Sequence, residues 1–333
     1  MSKKVKNILK FILFLSLGIG IFIWVYSGTD SEAIFKKLQN ANYFWIFISL
    51  ILGFFSHVSR AMRWNLLIRP LGYKPRLINS FFAVLVMYVS NMLVPRSGEI
   101  ARCGIVNKYE KVPVAKLFGT VVVERIFDFI MLFIFLAIAL VTQFPAIKKI
   151  IENNPGVQEK FNNLLSLPVI ISVVAVFIII IALLYYYRKR IEKLKIYTKI
   201  VEFIKNFIEG VKTVFKMERK FEFIFHSVLI WVLYFLMIYI VFLSFGFTEH
   251  LTVGAGLTVF VMSSFGMVFP SPGGIGSWHF MAIQALLIYN VSHIDAETFA
   301  VVAHGSMTLF LIVIGVLALI FLPIVNKDFI PKK

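Results

Sequence analysis

Long uninterrupted apolar runs dominate the chain, and they fall near 8–27, 43–68, 117–143, 167–187, 223–246 and 298–324. Each is close to the roughly 20 residues that a helix needs to cross a hydrocarbon core about 30 Å thick. None alternates apolar with polar at period two, so the pattern predicts helices and an all-α fold. Two further apolar stretches, 77–95 and 253–291, are interrupted by Pro and Gly. Such breaks predict hairpins that enter the membrane and turn back. The first run follows Lys3, Lys4, Lys6 and Lys10 but lacks a small-x-small cleavage site, which predicts an uncleaved first span.

Composition turns this pattern into a solvent assignment. With 59% hydrophobic and 15% charged residues and a mean hydropathy of +0.87, the chain could not cover a water-exposed surface. The expectation is a single polytopic transmembrane domain over 1–333, with about six full spans and two re-entrant hairpins. The net charge of +17 follows the membrane and not nucleic acid. Of 34 Lys and Arg residues, 28 lie in the N-terminus, 60–76, 96–116, 188–220 and 327–333. If these groups are cytoplasmic, the excess of basic residues on the inner side is respected throughout. That choice places both termini in the cytoplasm of a plasma (inner) membrane protein. The stretch 77–101 must then enter from inside, and 253–291 from outside, where residues 247–297 carry no Lys or Arg. Residues 188–222 alternate Lys with apolar residues at helical spacing, as expected of an amphipathic connector on the anionic inner leaflet.

The two broken stretches align with each other. NMLVPRSGEIA from Asn91 matches GMVFPSPGGIG from Gly266 at an offset of 175, and seven of 18 positions are identical from Val84 with Val259 to Ala101 with Gly276. The same offset carries 117–143 onto 292–318, which predicts a repeat of 43–143 in 223–324. The charge rule makes the halves opposite in orientation, an arrangement found in secondary transporters whose broken helices build the binding site. Lipid cannot satisfy the backbone amides that a break frees. At Pro270, Gly273, Gly274 and Gly276 the chain is therefore expected to turn inside protein and aim a helix N-terminus at an anion. Close helix packing alone would also call for the glycines. His279, just past the break, could face the same site.

Charges inside apolar runs need partners or a function, since each costs about 2.5–3.5 kcal/mol on an insertion scale. Glu124, Arg125 and Asp128 share the run 117–143, with Glu124 and Asp128 four apart and Arg125 three from Asp128. They form either a structural ion cluster or a phosphate site in which Arg125 or its neighbour Arg96 holds the anion while the carboxylates set its orientation or carry protons. Glu99 and Arg102 could pair beside the first break, or simply mark a solvated cytoplasmic end. Arg60, Arg63 and Trp64 fit a snorkelling cytoplasmic helix end. Cys103 is the single cysteine, so no internal disulfide can form, and no His or Cys spacing matches a metal site. No cofactor is expected.

At Arg63-Trp64, at Asn91 with Pro95, Arg96, Gly98, Glu99 and Arg102, at Glu124-Arg125 with Asp128, and at Pro270 to Gly276, the sequence resembles the lysylphosphatidylglycerol synthase transmembrane region, a flippase-like group of integral membrane proteins. In multidomain relatives this region precedes an aminoacyl-transferase domain and is thought to move lipid between leaflets. The resemblance implies the flippase-like module alone, without aminoacyl transfer. Relatives often carry Glu where this chain has His279. The favoured expectation is a flippase or transporter for an anionic phospholipid or a polyprenyl-phosphate-linked lipid, with Arg96, Glu99, Arg102, Glu124, Arg125, Asp128, Pro270, Gly273, Gly274, Gly276 and His279 at the substrate. The alternative is a membrane-embedded enzyme or accessory subunit in lipid or glycolipid biosynthesis. Against it stands the lack of a phosphate-binding glycine loop, a paired-aspartate motif or a Ser-His-Asp arrangement.

Overall fold

A computed structural model describes residues 30–94, 97–152, 214–269 and 271–329, together with 16, 19–28 and scattered positions between 159 and 212. All regular structure among the described residues is helical. The helices are α1 (Ser31–Gln39), α2 (Tyr43–Ile68), α3 (Leu77–Leu93), α4 (Gly98–Glu110), α5 (Val114–Glu152), α6 (Lys220–Phe242), α7 (Val253–Val268), α8 (Ser277–Ile288) and α9 (His293–Val325). Residues 19–25 are helical as well. The chain forms two compact units, one of residues 1–139 with 216–333 and one of residues 140–215. The first unit holds α1–α4, most of α5 and all of α6–α9. The second contains the end of α5 and then only scattered described positions, so most of the expected span 167–187 and of the connector 188–222 lie outside the described residues, as do residues 8–15 of the expected first span, whose later part is the helical 19–25.

Four helices, α2 with its 3-10 extension to Leu71, α5 through Pro145, α6 and α9, are long and apolar enough to cross a bilayer. The shorter apolar helices α3 and α7 are not. With four such helices the chain is an integral membrane protein. Polar side chains open several helices. Asp30 accepts from the amides of Glu32 and Ala33 ahead of α1, Asn42 from Phe44 ahead of α2, and Ser292 from Asp295 ahead of α9. Proline ends two others in the same way. Val94 after α3 and Phe269 after α7 are both extended, the backbone that a following proline imposes.

The first hairpin differs in length from its expectation. Its returning arm is α4, which runs to Glu110 and not to 101. α4 is not apolar overall, yet it buries Arg102, Cys103, Val106 and Glu110 against protein. The second hairpin is α7, the 3-10 turn Pro272–Gly274 and α8, within the stretch 253–291. The order of long helix, short helix, break, short helix, long helix thus occurs twice, as α2–α5 and again as α6–α9.

Packing follows this order. α2 lies along α6, α3 along α4 and α9, and α7 along α8. One core joins Ala61, Trp64, Ile68, Val84, Met87, Cys103, Val106, Leu117 and Val121 to Ala318 and Leu322 of α9. A second gathers Phe242, Val259, Trp278, Ile283, Leu286 and Phe299. A third joins Met131, Phe135, Ile230, Trp231 and Phe260, between α5, α6 and α7.

Candidate functional site

The hairpin break and the charged span meet. Glu99 is in the first turn of α4, and Arg102 follows one turn later on the same face, with Arg102 Nε 2.6 Å from Glu99 Oε2. The face of α5 that carries Glu124 and Asp128 turns toward them. Glu124 Oε1 lies 2.7 Å from Arg125 Nη2, and Glu124 Oε2 lies 3.0 Å from Arg102 Nη1. Arg125 Nη2 also reaches Asp128 Oδ2 at 3.1 Å, while its Nε is 3.6 Å from Glu99 Oε1.

Two further arginines enter from α2. Arg60 Nη1 donates to Glu124 Oε1 at 2.8 Å and to Asp128 Oδ2 at 3.1 Å, and its Nη2 donates to Tyr234 Oη at 3.2 Å. Arg63 Nη2 donates to Asp128 Oδ1 at 2.7 Å, and its Nη1 donates to Ser227 Oγ at 3.3 Å. Both are buried, so they do not snorkel to the cytoplasmic surface as their position near the end of an apolar run suggests. Arg60 is eight residues, or about 12 Å of helix, before the end of α2. The signal that could have found them was the spacing. Two arginines three apart in one span fit two carboxylates four apart in another.

Trp64 is the floor of the cluster. Its indole N–H donates to Thr120 Oγ1 at 2.9 Å, and the Arg102 guanidinium lies 4.5 Å from its ring centroid. Tyr88 from α3 and Tyr234 from α6 share a hydrogen bond of 2.9 Å beside Arg60.

Burial is uneven. Arg63, Arg102 and Glu124 are closed off and Arg60 nearly so, whereas the side chains of Asp128, Glu99 and Arg125 are 14%, 23% and 44% exposed. Among the described residues, four arginines face three carboxylates, so one positive charge is in excess. Charges buried this deeply have to be paired, and an excess cation leaves room for an anion.

The second break forms a separate group. Gly273, Gly274 and Gly276 all have positive φ, and Gly276, at φ 82° and ψ −61°, is the residue from which α8 starts. Ser277 Oγ donates to the Gly266 carbonyl at 2.8 Å and closes the turn. His304 of α9 holds the turn through Nε2, 2.9 Å from the Gly273 carbonyl oxygen, which as an acceptor requires the ring nitrogen to donate. His279 is buried among aromatic rings, 4.7 Å from the His304 centroid and 5.3 Å from Phe22. A metal would find no group of three ligands among the described residues.

The two groups connect through the end of α3. The Gly98 amide donates to Asn91 Oδ1 at 2.8 Å. A Cβ built on Gly273 would lie 3.2 Å from Met92 Cγ. Of the expected site residues, Glu99, Arg102, Glu124, Arg125 and Asp128 form one cluster, and Gly273, Gly274, Gly276 and His279 belong to the second break. Arg96 and Pro270 lie outside the described residues, as does Pro95.

Residues 7–315 match the family described as the lysylphosphatidylglycerol synthase TM region. A UPF0104 membrane protein of Methanocaldococcus jannaschii is 26% identical over 286 residues, covering 81% of this chain and 81% of that protein. No solved structure matches. With the family match running over most of its length, the chain belongs to the lysylphosphatidylglycerol synthase transmembrane region family.

Proposed function

We propose that the chain is a transporter that moves a phosphate-bearing lipid between the leaflets of a plasma membrane. The observation that carries this reading is the surplus arginine of the α2–α4–α5 cluster, with Arg125 at its exposed edge. The planar fork of a guanidinium suits phosphate oxygens, and a charge-assisted pair of this kind is stronger than a neutral hydrogen bond. A phosphate lipid also agrees with the family's description, which names a phospholipid synthase.

In the same proposal, 43–143 and 223–324 are inverted repeats within a protein of six spans. The hairpins α3–α4 and α7–α8 enter from opposite faces, and both termini are cytoplasmic. The recurring element order supports the repeat. The contact of Met92 with Gly273 supports a meeting of the breaks.

The test is leaflet-resolved lipid movement in vesicles reconstituted with purified protein. Arg125→Gln should abolish movement while the melting temperature stays near the parent's, because this side chain is the most exposed of the four. Arg125→Lys should recover only part of the rate, since a point charge cannot make the two-pronged contact. Full transport by Arg125→Gln would overturn the reading.

A further inference from the structure

The three carboxylates of the cluster are not held alike. Glu124 is approached within 3.3 Å by Arg60, Arg63, Arg102 and Arg125, and Asp128 by Arg60, Arg63 and Arg125. Both project from one helix, α5. Among the described residues Glu99 meets Arg102 and Arg125, and it comes from a different element, the first turn of the hairpin helix α4. Its hold is also poorer. The Arg125 contact, at 3.6 Å, is beyond hydrogen-bonding range, and the 2.6 Å contact of Oε2 with Arg102 is so badly aligned that neither atom makes a hydrogen bond. Glu99 is finally the most exposed of the three acids.

A carboxylate set between two guanidinium groups, close to both and well bonded to neither, occupies the place that a phosphate would take with better geometry. We propose that Glu99 is a tethered competitor of the substrate anion. In this state its carboxylate neutralises Arg102 and Arg125, and an arriving lipid phosphate displaces it. The charge then works in favour of exchange. With Glu99 in place the described residues of the cluster carry one excess positive charge, and with Glu99 expelled they carry two, so release of the acid strengthens the field that holds the phosphate. Its departure also releases the first turn of α4 from Arg125 of α5, while Arg102, one turn on, stays beside Glu124. Binding and movement of the hairpin become one event, and Glu99 sets the threshold. This assignment rests on the phosphate site proposed above.

The experiment uses the full chain in nanodiscs of neutral phosphatidylcholine, with dihexanoylphosphatidylglycerol as the probe anion. Glu99→Gln keeps the size of the side chain and removes the competing charge. With the competing charge gone, this variant should bind the probe about tenfold more tightly than the parent, a change of about 1.4 kcal/mol. Glu99→Asp, which keeps the charge but draws it back, should also tighten binding, to a smaller extent, and it serves if the glutamine variant fails to fold. Arg125→Gln should lose binding in either background.

The second readout is a spin label at Ile100→Cys in Cys103→Ser protein, since Ile100 is 63% exposed on α4. Saturating probe should change the label's mobility in the parent, and Glu99→Gln should show the changed spectrum without probe. Unaltered affinity in both Glu99 variants, with Arg125→Gln still losing binding, would overturn the competitor and leave the phosphate site standing. A label that is blind to bound probe would overturn the displacement. Absence of binding in the parent and in every variant would overturn the site and the competitor together.

Discussion

A guanidinium group withdrawn from water must find acceptors for its N–H groups, and Arg63 shows how narrowly this is met. Its two terminal nitrogens are spent on Asp128 and Ser227, its Nε has no hydrogen-bond partner, and its guanidinium lies 5.8 Å from the Phe223 ring centroid. Arg63→Met should therefore leave Asp128 Oδ1 without its arginine donor in a buried site. The expected loss is about 3–5 kcal/mol, the usual cost of removing one partner of a buried ion pair. Chemical unfolding in detergent micelles checks it. Arg125→Gln should cost clearly less by the same measurement, and equal losses would contradict the division between enclosed and exposed arginines. At this scale the sequence was informative where opposite charges shared one helix. Glu99 with Arg102 and Arg125 with Asp128 were legible as pairs three apart. Arg60 and Arg63 were not, because their partners are more than 60 residues away and their place near the end of an apolar run suits snorkelling equally well.

Hairpins depend on how closely two helices can approach, and small residues decide it. At Gly98, where α4 leaves the break, an added Cβ would run into the Met87 carbonyl and stand 2.8 Å from the Asn91 amide group. Gly98→Ala should force the arms of the first hairpin apart, at a cost of about 1–3 kcal/mol. Because α4 carries Glu99 and Arg102, it should also impair transport beyond what the lost stability explains. Gly104→Ala, on the same helix with open space around it, is the control and should be near neutral in both assays. The arms themselves were only partly legible. Long lipid-facing helices announce themselves by length and hydropathy, and so 43–68, 117–143 and most of 223–246 correspond to α2, α5 and α6. α4 does not, because a helix enclosed by protein can carry Glu, Arg, Asn and Lys. Hydropathy therefore loses it after 101 although it continues to Glu110. The proline breaks were legible for a stronger reason, since Pro restricts its predecessor wherever it occurs, and Val94 and Phe269 are extended accordingly.

For the whole molecule, orientation is the property that sequence charge predicts and that helix packing alone leaves open. Lys108 on α4 and Glu249 between α6 and α7 are both exposed and should face opposite sides of the membrane. In Cys103→Ser protein, Glu249→Cys should react with an impermeant thiol reagent in intact cells, whereas Lys108→Cys should react only after the cells are opened. Labelling of both from outside would refute the inverted arrangement. The meeting of the end of α3 with the glycine-rich turn has a consequence of another kind. Met92 abuts Gly273, whose carbonyl is held by His304 on α9, while Asn91 holds the Gly98 amide next to Glu99. The two tips therefore bear on each other like meshed teeth. A tooth lifted on one wheel has to turn the other, so in the transporter proposed above a phosphate bound beside the first break would be felt at the second.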